Sequence, residues 1–385
     1  MRAAWSLVVF LGLCSWSEAS AQFPRILKDK VPSKVTEVAN KAADLQISER
    51  DEILLGQEVS ARVRLRYGVV QDPKVHEYVS LTGNLLAKAS TRKDLPFNFV
   101  VLDTDGVNAF AAPGGFIHIT RGALSLIRDE SQLAGVLAHE IIHVTERHTI
   151  KAIQKNKAIQ MGAGETSITS NQALFDRFVD LTTRMVLAGF GRAEELDSDI
   201  GAIPLVARIG YVPQGLEQFL TTLKERNSGS EVKQGLFASH PEMDERLQKL
   251  DALAKEQKAG GMPLQDRYAR NIQYKPVALT EVAVVAEGTS GLAQGQSKGD
   301  SQEKKDEKSS GEKKPSRFSL SRLSNPLGGG QDTKQSAAVT GSGGSRGVDR
   351  EREAKGGSNS SAVPVTITAE TLEKFRKEGN LRQPS

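Results

Sequence analysis

Residues 130–148 read E-S-Q-L-A-G-V-L-A-H-E-I-I-H-V-T-E-R-H, and this stretch is the most informative part of the sequence. Its acidic beginning and its apolar residues predict a long helix over Ser131–Arg147. Inside that helix His139 and His143 are four residues apart, which puts both imidazoles on one face. Because burying two histidines and Glu140 on an apolar helix is costly, the pattern predicts that hydrogen bonds or a metal ion accompany them.

The H-E-I-I-H motif has the spacing of a catalytic zinc site. His139 and His143 can bind one ion, while Glu140 lies beside the ion and can accept a proton from an activated water molecule. The alternative is a chance motif on a solvent-exposed helix, which the apolar residues on both sides disfavour. We therefore predict one Zn²⁺ ion per chain at this helix.

A catalytic zinc needs a third protein ligand. His148 lies about 180° round the predicted helix from His139, so we interpret it as a cation near the helix C-terminus. Further along the chain, E-E-L-D-S-D places Glu195 and Asp199 on one face of a second helix. We predict Glu195 as the ligand and Asp199 as the acceptor for the far nitrogen of a ligand histidine. Glu194 is the alternative ligand, and an ordinary solvated helix N-terminus is the alternative for the whole stretch.

The rest of the pattern predicts an α+β domain over residues 22–285, mostly helical with a small β-sheet. Phe97–Asp103 and Phe116–Thr120 have strand composition. Pro204 is expected to kink the helix that carries the acidic pair. The other helices are expected over Ser48–Tyr67, Pro73–Ala89, Ala123–Arg128, 172–190, Glu194–Ile209, Pro213–Arg226 and Pro241–Lys255.

Four stretches match, in order, the pattern of a known family. They are V-N-A-F-A-A-P-G-G at 107–115, the run at 130–148, R-A-E-E-L-D-S-D-I-G at 192–201 followed by A-R-I-G-Y-V-P at 207–213, and S-H-P-E-M-D-E-R-L at 239–247. With them the chain resembles metallopeptidase family forty-eight, which contains CAAX prenyl endopeptidases, HtpX-type proteases and soluble periplasmic relatives. The resemblance implies a zincin-type fold and a zinc endopeptidase whose ligands are H-E-x-x-H plus a glutamate.

The resemblance also implies a substrate-binding segment beside the active-site helix. Its residues would be Asn108, Ala109, Phe110, Gly114 and Gly115, and its open strand edge could pair with an extended peptide. The alternative is a tight turn that needs the backbone freedom of the two glycines, and both can hold together.

His240 stands before Pro241 in a stretch that the family places near the metal. One interpretation is that it stabilises the oxyanion of the reaction. A second is that it occupies the open zinc position and keeps the enzyme inactive, and a third is a capping histidine before a helix. Arg246, close by, can pair with an acid, whereas His76 and His118 are interpreted as structural or solvated.

The N-terminal 21 residues have the pattern of a secretory signal peptide, with Arg2, an apolar stretch and the small residues A-S-A at 19–21. The only cysteine, Cys14, lies inside this segment, so the mature protein is expected to contain no disulfide. Leu13 before it disfavours a lipid-attachment site. We predict an exported protein, periplasmic or secreted, with peripheral attachment to the outer membrane as an alternative.

The C-terminal part of the chain changes in composition. Residues 286–362 are rich in Gly, Ser, Lys, Glu and Gln and are predicted to be a disordered linker. Residues 363–385 are predicted to form a short strand or helix element, with Thr368 capping a helix that Gly379 ends. This element is interpreted as a docking segment or an edge strand, with a frayed tail as the alternative.

The composition limits the function classes. A net charge of +4 and 5% aromatic residues, without a dense basic helix, do not match a nucleic-acid-binding protein. A membrane-embedded protease is disfavoured, because no span of about 20 apolar residues follows the signal. The hypothesis is an exported zinc endopeptidase that cleaves proteins or peptides, and the resemblance adds misfolded envelope proteins as expected substrates. The alternative is a periplasmic chaperone or assembly scaffold with little proteolysis.

Overall fold

The computed structural model describes residues 47–160, 168–169, 171–228, 236–240, 243–257, 260–278 and 360–384. The predicted signal peptide and nearly all of the predicted linker lie outside these residues. In the described ranges, no helix has both the length and the hydropathy that crossing a membrane requires.

The described part of the chain is mostly helical and contains one three-stranded sheet, which confirms the predicted α+β class. The helices, numbered in chain order, are α1 (Glu49–Tyr67), α2 (Pro73–Lys88), α3 (Arg121–Leu126), α4 (Glu130–Thr145), α5 (His148–Gln160), α6 (Gln172–Ala188), α7 (Arg192–Ile209), α8 (Gly215–Asn227), α9 (Leu236–Ser239), α10 (Met243–Glu256), α11 (Gln265–Asn271) and α12 (Ala369–Glu378). The strands are β1 (Asn98–Leu102), β2 (Ala109–Ala112) and β3 (Phe116–Thr120).

The sheet has the order β1-β3-β2. β1 runs parallel to β3, with Asn98 opposite Phe116, whereas β2 runs antiparallel, with Ala109 opposite Ile119. A short 3-10 turn over Pro113–Gly115 connects β2 to β3. In that turn Gly114 has a φ of 69°, which disfavours a larger residue. The segment therefore forms an edge strand, β2, followed by a tight turn.

Helix α4 forms the centre of the domain. Asp129 caps it by accepting a hydrogen bond from the Gln132 amide at 2.9 Å, and nearly every residue of the helix is buried. Helices α2, α7 and α8 pack around it, and β2 lies against it. This packing explains why the sequence of α4 is apolar on almost all sides.

The end of α4 differs from the prediction. The helix stops at Thr145 instead of Arg147, because Arg147 adopts a left-handed conformation with φ 56°. Its guanidinium donates to the Ile47 carbonyl at 2.7 Å and lies 3.0 Å from Glu52, and these contacts stabilise the break. His148 consequently begins a new helix, α5, and does not continue the helical wheel of α4.

The C-terminal segment docks on the domain through helix α12. Thr368 caps this helix, as predicted, and Gly379 follows its end. Phe375 is 6% exposed and Leu381 is 3% exposed, so the segment is packed and not frayed. The edge-strand alternative is wrong, since residues 360–368 form no strand, and Pro364 has no amide to donate to a ladder.

Candidate metal centre

Helices α4 and α7 pack side by side and bring three predicted ligands together. Nε2 of His139 lies 3.1 Å from Nε2 of His143. The two oxygens of Glu195 divide between them, with Oε2 at 3.4 Å from His139 and Oε1 at 3.4 Å from His143. All three side chains are buried, so these ligand atoms face one another away from solvent.

This arrangement fits a metal ion. A tetrahedral ion of the size of zinc, held at about 2.0–2.2 Å by nitrogen and oxygen ligands, separates neighbouring ligand atoms by about 3.3–3.5 Å. The separations of 3.1 and 3.4 Å lie near that range. Oε1 of Glu195 is buried and has no hydrogen-bond partner within the described ranges, a deficit that a bound cation would satisfy.

Asp199 and Arg246 support the ligands from behind. Oδ1 of Asp199 lies 3.0 Å from Nδ1 of His139, the nitrogen that faces away from the centre. Arg246 donates to both oxygens of Asp199 at 2.8 Å, and its third nitrogen lies 3.0 Å from Glu195. The expected pairing of Arg246 with an acid is confirmed, and Asp199 lies where a partner for a ligand histidine is needed.

The proton affinities of the two histidines follow from these contacts. Burial lowers the pKa of His139, but Asp199 and Glu195 outweigh burial and raise that pKa to about 9. Burial dominates at His143 and lowers its pKa to about 3. A metal cation at this centre would displace a proton from His139, because histidine binds a metal through its neutral imidazole.

His143 is oriented by two residues that the sequence did not indicate. Nδ1 of His148 lies 2.9 Å from Nδ1 of His143, and the Phe190 ring stacks on the His143 ring with centroids 4.3 Å apart. His148 is buried, and burial lowers its pKa despite Asp197 at 3.1 Å, so the interpretation of His148 as a cation is wrong. The break at Arg147, which turns His148 back toward the centre, had no clear sequence signal.

Glu140 lies next to the ligands without joining them. Its side chain is buried, and its Oε2 atom lacks a hydrogen-bond partner in the part of the chain that the structure describes. Burial raises the pKa of this carboxyl, although His240 and His139 oppose the increase. A buried carboxylate with a free oxygen and a raised pKa can take up a proton from a neighbouring group.

His240 points into the same centre from the end of α9. Its Nδ1 lies 2.7 Å from Oε2 of Glu195, and its Nε2 lies 3.9 Å from Oε1 of Glu140. Ligand atoms of His139, His143, Glu195 and His240 all lie within 4.8 Å of one another. The side chain is thus directed at the metal centre and not at a helix end, which leaves the oxyanion and blocking interpretations.

The predicted substrate segment is covered in this structure. The amide of Leu236 donates to the Val107 carbonyl at 2.8 Å, and Ser239 donates to the Asn108 side chain at 3.3 Å. Nε2 of His240 lies 3.4 Å from the Ala109 carbonyl. Residues 236–240 therefore lie along the beginning of strand β2.

The remaining residues of this segment lie in the interior of the domain or in the turn before β3. Phe110 is buried and stacks on His118, with ring centroids 5.1 Å apart. Gly115, like Gly114, has a positive φ and completes the turn before β3. His118 is itself buried, 2.9 Å from the Ser60 hydroxyl, which agrees with its structural interpretation.

The positions of Glu194 and His76 in the structure bear on two further alternatives from the sequence analysis. Glu194, the alternative ligand, is partly exposed, lies 3.8 Å from Lys155 and is not in the ligand group. His76 is buried with its Nε2 at 2.8 Å from the Val70 carbonyl, so it is structural and not solvated.

A buried H-E-x-x-H helix with a small sheet against it, and a second helix that supplies a glutamate, form the arrangement of a zincin-type metallopeptidase domain. Residues 73–254 match the model of peptidase family M48, and the chain contains a domain of that family.

Several curated proteins are similar to this chain. The beta-barrel assembly-enhancing protease of Escherichia coli is 27% identical over 224 residues, which cover 54% of this chain and 46% of that protein. The metalloprotease YcaL of Escherichia coli is 30% identical over 156 residues, or 40% of this chain and 60% of YcaL. The mitochondrial metalloendopeptidase OMA1 of Schizosaccharomyces pombe is 27% identical over 225 residues, or 56% and 64%. The chain thus spans less than half the length of the assembly-enhancing proteases that it matches.

Proposed function

We propose that the chain is an exported zinc-dependent endopeptidase that cleaves proteins of the cell envelope as part of their quality control. The observation that carries this proposal is the convergence of His139, His143 and Glu195 beside the buried carboxyl of Glu140. The signal-like pattern of residues 1–21 supports export, and the family supports peptidase chemistry. Similarity to assembly-enhancing proteases supports substrates in the envelope, and both arguments support a periplasmic location.

His139, His143 and Glu195 would hold one zinc ion per chain, since two imidazoles and a carboxylate suit Zn²⁺. When bound, zinc polarises the scissile carbonyl and lowers the pKa of a water molecule. Asp199 and Arg246 keep His139 and Glu195 in place, because their contacts restrict both side chains.

Glu140 acts as the proton carrier of the reaction. Its free Oε2 accepts the proton of the attacking water, and the same carboxyl then delivers the proton to the leaving amine. Burial raises the pKa of Glu140, which brings its proton affinity closer to that needed for both transfers. Within the described ranges, the centre has no other carboxylate available for this role, since Glu195 and Asp199 are engaged by histidines and Arg246.

We propose that the observed arrangement is a closed resting state of the enzyme. His240 lies between Glu195 and Glu140, where a substrate carbonyl has to bind, and residues 236–240 cover the beginning of β2. Moving this segment outward would free the Val107 and Ala109 carbonyls and the Asn108 side chain for contact with an extended peptide. In an open state His240 could still approach the oxyanion, so its substitution distinguishes the two roles.

The test is metal analysis and cleavage of an unfolded protein by the chain lacking residues 1–21. We expect about one zinc per chain in the wild type, Glu140→Gln and His240→Ala, and in the control Glu194→Gln. Cleavage should fall by about 10²–10⁴-fold in Glu140→Gln, stay unchanged in the control and rise in His240→Ala.

Three other outcomes contradict parts of this proposal. Loss of cleavage in His240→Ala would make His240 an oxyanion partner and not an inhibitor. Zinc without any cleavage in the wild type would favour a chaperone or assembly scaffold. A wild-type protein that binds no zinc would exclude the metal centre itself.

A further inference from the structure

Residues 360–384, here called the C-terminal strap, dock on the peptidase domain although residues 279–359 separate them from it along the chain. The strap begins where Arg64 and Gln71 donate to the carbonyls of Ser360 and Ser361. It continues through helix α12 and ends near the last turn of α7.

Helix α12 is held by an aromatic anchor. The ring of Phe375 packs edge-on against Tyr78 with centroids 5.9 Å apart, and the Arg267 guanidinium lies 4.0 Å from its centroid. Leu372, one turn earlier, packs against the same core. This is the helix-in-groove mode of peptide recognition, with apolar anchors three residues apart on one helix face.

Through Arg267 the strap reaches the beginning of α4. Arg267 donates to the Phe375 carbonyl at 2.7 Å and forms a two-pronged ion pair with Glu130, the first residue of α4. Tyr78 and Tyr211 also donate to Glu130, each at 2.7 Å. Glu130 is completely buried, so this network fixes the N-terminal end of the helix that carries the metal-binding histidines.

At its other end the strap reaches the end of α7. The backbone amide of Arg382 donates to the Ile209 carbonyl at 2.7 Å, and its side chain donates to the Ala207 carbonyl at 3.4 Å. The Ile209 carbonyl is in the last turn of the helix, where carbonyls have no partner within the helix, so the strap supplies one from outside. Helix α7 is the element that carries Glu195 and Asp199.

We infer that the C-terminal strap is a tethered ligand of the domain that positions the two metal-binding helices. It joins α4 and α7 at the ends remote from the centre, about 14 Å along α4 from His139 and about 21 Å along α7 from Glu195. Because no described residue of the strap touches any of the three proposed ligands, its effect is on their relative placement, and small displacements of ligands weaken a metal site. The inference deepens the proposed zinc peptidase and rests on it for the identity of the metal.

The first experiment tests whether the strap stays bound to the domain once the chain between them is cut. It does not depend on zinc or on cleavage activity. A recognition site for a sequence-specific protease is inserted within residues 300–340 of the full chain, which is then cut and passed over a gel-filtration column. We expect the cut wild-type strap to co-elute with the domain and the cut Phe375→Ala strap to separate from it. The control is Lys374→Ala, whose side chain is 77% exposed and which should co-elute. Separation of the wild-type pieces would overturn the inference.

The second experiment tests positioning through the rate at which a chelator removes zinc. After cutting, Phe375→Ala should lose zinc about tenfold faster than wild type or Lys374→Ala. A synthetic peptide of residues 360–385 should restore the slow rate, whereas the same peptide with Phe375→Ala should not. This rescue separates displacement of the strap from misfolding of the domain.

An unchanged rate of zinc loss, together with a lower melting temperature, would show that the strap only stabilises the domain, and positioning would be rejected. The proposed function fails separately. A wild type that binds zinc but cleaves no protein contradicts the peptidase, while a dependence of zinc loss on Phe375 would still support the strap.

Discussion

At the scale of single residues, Arg246 controls the electrostatics of the metal centre. It is 1% exposed and contacts Asp199 through two nitrogens and Glu195 through a third. Burial raises the pKa of Asp199, but Arg246 outweighs burial and lowers it below the usual range. Two buried carboxylates would otherwise favour their neutral forms, so Arg246 keeps them ionised and ready to support a metal site.

Asp199→Asn tests this support. The substitution keeps the shape of the side chain but removes the charge that faces Nδ1 of His139, so the imidazole becomes a poorer ligand. We expect zinc affinity to fall by about 10–100-fold, measured by competition with a chromophoric chelator. Glu194→Gln, a neutralised acid on the same helix, is the control and should bind zinc like the wild type. Equal affinities in both variants would contradict the supporting role of Asp199.

The sequence predicted the residues whose geometry is set within one helix. Spacing alone placed His139 with His143 and Glu195 with Asp199, because positions four apart share a helix face. The sequence did not predict that His148 contacts His143. That contact depends on a reversal of the chain at Arg147 and not on helical periodicity. The partners that decide such a reversal come from other parts of the chain and leave no local pattern.

At the scale of elements, Gly189 determines how closely residues 236–240 approach the site. It ends α6 with a φ of 81°, and a Cβ atom there would lie 1.7 Å from the Ser239 carbonyl oxygen. Only glycine allows this contact, because the obstructing atom belongs to the backbone. The contact holds Ser239 against α6 and thereby holds the following His240 in the centre.

Gly189→Ala should therefore displace the segment. The added methyl group cannot be accommodated without moving Ser239, and the positive φ adds strain, so we expect a loss of about 1–3 kcal/mol in stability. His240 should become accessible, and its modification by diethylpyrocarbonate, followed by mass spectrometry, should be faster than in wild type. Gly260→Ala is the control, because a Cβ atom at that position meets nothing within 4 Å. Equal His240 reactivity in the two variants would contradict the role of Gly189 in holding residues 236–240 at the site.

The helices and strands differ in how well the local sequence predicts them. Caps and hydrophobic periods predicted most helices of the central domain to within a few residues, and Thr368 located α12. Strand β2 is different, since A-F-A-A has little strand propensity and is extended because it pairs with β3. The sequence did not predict helices α5, α9 and α11, and α5 begins only where the contacts of Arg147 break α4.

At the scale of the whole molecule, a buried network around Glu130 connects distant parts of the chain. Its carboxylate accepts from Tyr78 on α2, from Tyr211 after α7 and from Arg267 on α11. Arg267 in turn contacts the C-terminal strap. Sequence analysis could not place the strap on the domain, because its contacts join residues more than a hundred positions apart and follow no period.

Glu130→Gln tests how much this network contributes to the free energy of unfolding. The amide keeps the size of the side chain but leaves the Arg267 guanidinium without its counter-charge in a buried site. We expect a loss of about 3–5 kcal/mol in the free energy of unfolding, measured by urea denaturation at saturating zinc. Glu77→Gln, an exposed acid on α2 next to Tyr78, is the control and should change stability by less than about 0.5 kcal/mol. A similar small change in both variants would show that the network is not energetically important.

Metal removal is the corresponding test of how the centre contributes to the stability of the whole molecule. The proposed zinc ion needs the folded arrangement of α4 and α7. At a free concentration 1,000 times its dissociation constant, we therefore expect zinc to add about 4 kcal/mol to the unfolding free energy. Chelation should therefore lower the melting temperature and abolish cleavage, and zinc should restore both.

Glu140→Gln should show the same thermal shift without cleavage, because Glu140 is not a proposed ligand. His139→Ala should show little shift, since only one histidine and Glu195 remain on the two helices. If His139→Ala responds to zinc as strongly as the wild type, the ion binds elsewhere and α4 and α7 do not form the metal site.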